Sequence, residues 1–151
     1  MKSGRWSVVL HVRFRGRTKD YTIVLSVDER RVIETGAHTL KILQTTRLSS
    51  WSLWAVVGDA LVVLREKVQA AVGTELTMGS DYNSAWSEAL RRFKLVTDGV
   101  TRSHLFDLMT NRVSVEHWLA SLPPERARKY NHPNTVWRQW KADQKDQDAN
   151  Q

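Results

Sequence analysis

Residues 5–27 read Arg5-Trp6-Ser7-Val8-Val9-Leu10-His11-Val12-Arg13-Phe14-Arg15-Gly16-Arg17-Thr18-Lys19-Asp20-Tyr21-Thr22-Ile23-Val24-Leu25-Ser26-Val27. Trp6, Val8, Leu10, Val12 and Phe14 alternate with Arg5, Ser7, Val9, His11, Arg13 and Arg15, the period of a strand with one face buried. Tyr21, Ile23, Leu25 and Val27 repeat that period, and Arg15 to Asp20 is a polar, glycine-containing stretch that reads as a hairpin loop with a strongly basic tip. Asp28-Glu29-Arg30 reads as a turn into a short third strand at Arg31–Glu34. Two strands alone are marginal in water, so this ribbon must pack on whatever follows it.

Around Ser49-Ser50 the pattern changes to the helical period. Trp51, Trp54, Val57, Leu61, Leu64 and Val68 fall mostly at three- and four-residue spacing, with a serine cap upstream and Gly73 as a stop, which predicts a helix over about 50–72. Gly58 inside it suggests the close approach of another helix. Ser80 or Asp81 can cap a second helix with the apolar stripe Tyr82, Trp86, Leu90 and Phe93. Asp98 can cap a third, Gly99 to about Asn111, and Val113 to Leu122 reads as a fourth. Pro123-Pro124 ends that one and starts a short basic turn, Glu125 to Tyr130. Asn131-His132-Pro133-Asn134 opens a last helix, Val136 to Lys145. The fold class is thus α+β: one domain over 1–145, with the hairpin in 1–35, about five helices in 49–145 and a disordered tail at 146–151.

Charge is concentrated at the two ends. Lys2, Arg5, Arg13, Arg15, Arg17 and Lys19 face no acid in the first nineteen residues, whereas residues 20–119 sum to −1. Arg126, Arg128, Lys129, Arg138, Lys141 and Lys145 outnumber Glu125 and Asp143 in residues 120–145, and the whole chain is +7. Basic ends around a near-neutral middle suit a polyanion, because each cation that meets a phosphate releases a condensed counterion. Cysteine is absent, which rules out disulfides, thiolate zinc sites and cysteine catalysis and fits the cytoplasm. No segment approaches the roughly 18 consecutive apolar residues that a membrane span needs.

Three constellations carry a functional reading, each beside a plainer one. The hairpin cations Arg13, Arg15, Arg17 and Lys19 could lie along a phosphate backbone or only protect a solvated ribbon from edge pairing. Residues 81–111 can be read as a helix-turn-helix that places Thr101, Arg102 and Ser103 against bases, or as two ordinary packed helices. Trp137 and Trp140, beside Arg138 and Lys141, could stack bases or dock a terminal helix on the core. The candidate nucleic-acid surface is Arg13, Arg15, Arg17 and Lys19, Thr101, Arg102 and Ser103, and Arg126, Arg128, Lys129, Arg138 and Lys141. His11, His38, His104, His117 and His132 show no metal spacing, Gly58, Gly73, Gly79 and Gly99 form no phosphate loop, and Asp98, Asp107 and Glu116 make only a generic acidic trio. No catalytic residue, metal or cofactor is expected.

Val57-Gly58-Asp59-Ala60-Leu61, Tyr82-Asn83 with Trp86, Thr101-Arg102-Ser103-His104-Leu105, and Asn131-His132-Pro133 through Trp137, Trp140 and Lys141 form a pattern over about residues 54–141. It resembles a group of uncharacterised helical proteins encoded by phages, prophages and plasmids of proteobacteria. The resemblance implies a mobile-element origin and a helical domain containing a helix-turn-helix; the basic hairpin before residue 48 stands outside the pattern. The expected function is therefore a non-enzymatic DNA- or RNA-binding protein in regulation or replication. The alternative is a small phage-encoded protein that inhibits a host protein such as a defence nuclease. Half-site readers are usually dimers, so a homodimer goes with the first reading, although no heptad seam encodes one.

Overall fold

A computed structural model describes residues 4–150. Lys2 of the N-terminal basic stretch and Gln151 of the tail lie outside them. Among the described residues the chain forms one antiparallel two-stranded sheet followed by seven helices, an α+β arrangement. Its contacts gather in two compact units, one drawn from the residues up to His38 together with Asp59–Val96, the other from Thr39–Gly58 and the residues from Thr97 onward. No helix among the described residues is long and apolar enough to cross a membrane.

In the first unit β1 (Arg5–Phe14) pairs with β2 (Arg17–Ser26) in a register that sets Leu10 against Tyr21 and Phe14 against Arg17. Only Arg15 and Gly16 remain for the loop, and both have positive φ, 50° and 75°, the pattern of a type I′ turn whose twist matches that of the strands. The expected six-residue loop is therefore ladder almost to its end. Val8, Leu10 and Val12 with Tyr21, Ile23 and Leu25 form the buried face. Each large aliphatic side chain so removed from water contributes about 1.5–3 kcal/mol before entropy is counted.

The expected third strand is not formed: Arg31–Glu34 lies inside a helix, α1 (Val27–Thr45). Ser26 and Glu29 cap its start, and Ile33, Gly36 and Leu40 are buried at three- and four-residue spacing, the helical period that short-range strand propensity at Val32-Ile33 obscured. Helix α2 (Trp51–Val72) runs as the periodicity predicts. Helix α3 (Ser80–Arg92) packs on β1, with Trp6 edge-on to Phe93 at 6.0 Å.

The second unit holds α4 (Gly99–Thr110), α5 (Arg112–Ser121), the single turn α6 (Pro124–Ala127) and α7 (Pro133–Ala149). Its core is Leu108, Val115, Val136 and Trp140, enclosed by Trp51, Trp118, Leu119, Tyr130 and Trp137. Asp98 caps α4 through Thr101 N–H at 2.9 Å, which holds its carboxyl below the usual range. Helix α7 starts with Pro133 at N1 behind the His132 cap and continues to Ala149, four residues past the expected limit at Lys145. Its polar end, Asp143 to Ala149, satisfies the helical backbone without an apolar stripe.

A helix-turn-helix at 81–111 is not shown. Helix α3 takes its packing from β1 within the first unit, and α4 takes its packing from α7 and α5 within the second.

Candidate nucleic-acid interface

The ladder decides where the hairpin cations point. Arg13 belongs to the outer face of β1, opposite Thr18, in line with Arg5, Ser7, Val9 and His11. Arg17 and Lys19 belong to the other face, in line with Tyr21, Ile23 and Leu25 but beyond the buried part. Arg15 occupies the turn. The four cations therefore surround the tip rather than forming one stripe, a consequence of the period of two that charge counting along the sequence does not show.

All four are exposed. Arg13, Arg15 and Arg17 have no ion-pair partner among the described residues. The Arg15 guanidinium lies 5.3 Å from the Phe14 ring centroid. Lys19 alone is partnered: its Nζ is 3.6 Å from Asp81 Oδ2. The Tyr21 hydroxyl first, and Asp81 after it, raise the Lys19 pKa above the ordinary lysine value. On the outer face His11 Nδ1 and Asp20 Oδ1 are 2.8 Å apart.

Between β1 and α3 runs an open groove of about 630 Å³, lined by His11, Arg13, Asn83, Ser87, Glu88 and Arg91 among others. Asn83 and Ser87 were not expected here. They sit four apart on the face of α3 opposite Ala85 and Ala89, both buried, a polar stripe that the sequence carries once the apolar one is drawn. Arg91 is already committed to Glu88.

The second unit treats its expected contact residues differently. Thr101 is 2 % exposed and its hydroxyl accepts from Asn134 Nδ2 at 3.3 Å, so it cannot read a base. The motif placed it near the N-terminus of α4, where its hydroxyl meets Asn134 of α7 instead of solvent. Arg102 donates to the Thr97 carbonyl at 2.9 Å, while Ser103 is exposed. Arg126 bonds Tyr130 Oη at 2.9 Å and reaches both oxygens of Asp143, and Arg128 leans on the Pro124 carbonyl at 3.4 Å. Lys129 and Arg138 are exposed and carry no ion pair among the described residues.

Trp140 is a core residue, 3 % exposed. Trp137 donates to Asp107 Oδ2 at 2.6 Å and stacks on His104 with ring centroids 4.1 Å apart. Both tryptophans dock α7, and Lys141 spans Trp140, Trp137 and Asp107. Of the two readings of this pair, the contacts are those of a docked terminal helix and not of a base-stacking platform.

The hairpin is thus a place where several cations without ion-pair partners among the described residues gather on a fixed backbone. Its chemistry is that of anion contact: guanidinium donors suited to bidentate bonds with phosphate oxygens. Among the described residues no group of three or more His, Cys, Asp or Glu side chains could hold a metal ion. No protein-family model, curated protein or solved structure matches this chain.

Proposed function

We propose that this protein binds nucleic acid through the phosphate backbone, with the hairpin tip as its primary contact, and serves a regulatory or replicative role for a phage or other mobile element in the cytoplasm, without catalysis. The observation that carries the reading is the trio Arg13, Arg15 and Arg17, exposed and without an ion-pair partner among the described residues, around a two-residue turn. Cations already committed to carboxylates would have to break those bonds to meet a phosphate; these three need not. Lys129 and Arg138 are the second-unit residues that support the same chemistry. The mobile-element origin rests on the motif pattern of residues 54–141.

The test is fluorescence anisotropy of labelled duplex DNA, single-stranded DNA and RNA over a salt titration. Binding should weaken with salt at a slope of about 0.7–0.9 per phosphate contacted. Reversing Arg13, Arg15 and Arg17 to Glu should weaken binding strongly and lower the slope of what remains by about three contacts. An unchanged slope in that variant would take the hairpin out of the interface. A complex with an acidic protein that nucleic acid fails to displace would assign the same charge to a protein partner.

A further inference from the structure

The face of the hairpin that buries Leu10 and Ile23 runs through the buried Val12 and Tyr21 and continues past the core as Phe14, Arg17 and Lys19. With Asp81 and Ser84 of α3 these residues enclose a space of about 220 Å³. Three features of this space are unusual together. Tyr21 is 7 % exposed, yet its buried hydroxyl makes no well-formed hydrogen bond among the described residues and has only the exposed Lys19 ammonium near it, an arrangement that native interiors rarely tolerate. Phe14 is 42 % exposed, a large aromatic left in solvent at the same opening. Cations and a carboxylate stand side by side at the rim, with Lys19 and Asp81 3.6 Å apart.

The mixture narrows the ligand. A bare anion would face the Asp81 carboxylate. A water molecule would satisfy the Tyr21 hydroxyl and leave the exposed ring without purpose. A flat heterocycle with both donors and acceptors on its edge fits all three features. It can stack on an aromatic ring, exchange a hydrogen bond with a hydroxyl and donate N–H to a carboxylate, while its strand's phosphates meet arginines. Unpaired bases are held in this way, stacked on aromatic side chains and bonded along their edges.

We infer that this space takes one unpaired nucleobase, stacked on Phe14 and hydrogen-bonded by the Tyr21 hydroxyl and Asp81, with Arg15 and Arg17 on the flanking phosphates. The inference rests on the nucleic-acid reading above and adds a preference to it: single strands, or bases turned out of a helix, over intact duplex, because a paired base must first be unstacked to enter.

The experiment compares a short labelled oligonucleotide, single-stranded and as its duplex, at one salt concentration, on the wild type, Phe14→Ala and Tyr21→Phe. The wild type should favour the single strand. Phe14→Ala should lower the ratio of single-strand to duplex affinity by about tenfold, the usual worth of one stacked base, and Tyr21→Phe by a few-fold. Thermal melts check the fold; Phe14 is exposed and Tyr21→Phe keeps the buried ring. A wild type that binds duplex as tightly as single strand, or a ratio that Phe14→Ala leaves unchanged, overturns the inference. If the Arg13, Arg15 and Arg17 reversal strongly weakens binding of both forms while Phe14→Ala changes neither, the phosphate reading stands and the base site falls. If the wild type binds neither form at low salt, both fall.

Discussion

Ser26 and Glu29 close a reciprocal cap at the start of α1: the Ser26 hydroxyl accepts from Glu29 N–H at 3.1 Å, and Glu29 Oε1 accepts from Ser26 N–H at 2.9 Å. The other Glu29 oxygen meets Lys67 Nζ at 2.9 Å, tying the first turn of α1 to α2 within the first unit. Replacing Ser26 by Ala should cost about 1 kcal/mol, seen as a fall in melting temperature of about 3 °C. A melt within error of the wild type would mean that the cap contributes nothing measurable.

The same carboxylate gives stability a pH dependence. Lys67 first, then the Ser26 backbone N–H, lowers the pKa of Glu29 from its ordinary 4.5. A depressed carboxyl pKa stabilises the fold above the unfolded value, and the gain is lost as pH falls through the folded one. Glu29→Gln keeps an oxygen for Ser26 and removes the charge. Its destabilisation should be largest near neutrality and shrink as acid is added, measured by denaturant unfolding at a series of pH values. A pH-independent difference would show that the ion pair is inert.

At Gly58 of α2 a Cβ would stand 2.5 Å from Met109 Sδ and 2.7 Å from its Cγ. Alanine there gains about 1 kcal/mol of helix propensity, but the overpacking costs about 1–3 kcal/mol. Gly58→Ala should therefore destabilise the wild type by about 1 kcal/mol and stabilise a Met109→Ala background. Equal effects in both backgrounds would exonerate Met109.

Helix α3 ends in a Schellman arrangement, with Leu95 N–H on the Leu90 carbonyl at 2.9 Å and Lys94 N–H on Arg91 at 3.3 Å. The left-handed position, φ 58°, is held by Lys94 rather than glycine. Lys94→Gly should raise stability by about 0.5–1 kcal/mol by denaturant unfolding. A loss instead would mean that the lysine stem makes a packing contact outweighing its backbone strain.

His132 caps α7, its Nδ1 accepting from Asn134 N–H at 3.1 Å, and lies edge-on to Trp54 at 5.2 Å. Burial lowers its pKa from 6.5; the nearby Asp98 charge opposes this and His104 adds to it. The folded state thus favours the neutral ring, so the contribution is complete above pH 6.5 and declines as pH falls through the folded pKa. His132→Asn preserves a capping acceptor and should flatten the unfolding midpoint between pH 5 and 7, a range in which the wild type should weaken. Parallel pH profiles would count against His132 as the sensor.

Much of this architecture was legible in the residues. Alternation located both strands because one face of each is buried, and the stripe through Trp54, Leu61 and Val68 located α2. Helix α1 was missed because Asp28-Glu29-Arg30 resembles a turn in composition, although Ser26 and Glu29 stand at capping-box spacing; the local pattern held both readings and burial of Ile33 and Leu40 chose. The cations of the site were legible as a cluster, but their division around the tip depends on register. Thr101 was misjudged as accessible, and Trp140 was left between two readings, for a different reason. Helical spacing shows which residues share a face without saying what covers it, and Asn134 and the core at Leu108 and Val115 do the covering.

The turn at Arg15 and Gly16 has a consequence for how this chain would respond to selection. A type I′ turn favours Asn or Gly at its first position, and an arginine at φ 50° folds less readily there. Position 15 therefore sets foldability against charge. A library screened for heat resistance alone would exchange Arg15 early, and the survivors would be sturdier hairpins with a blunted tip.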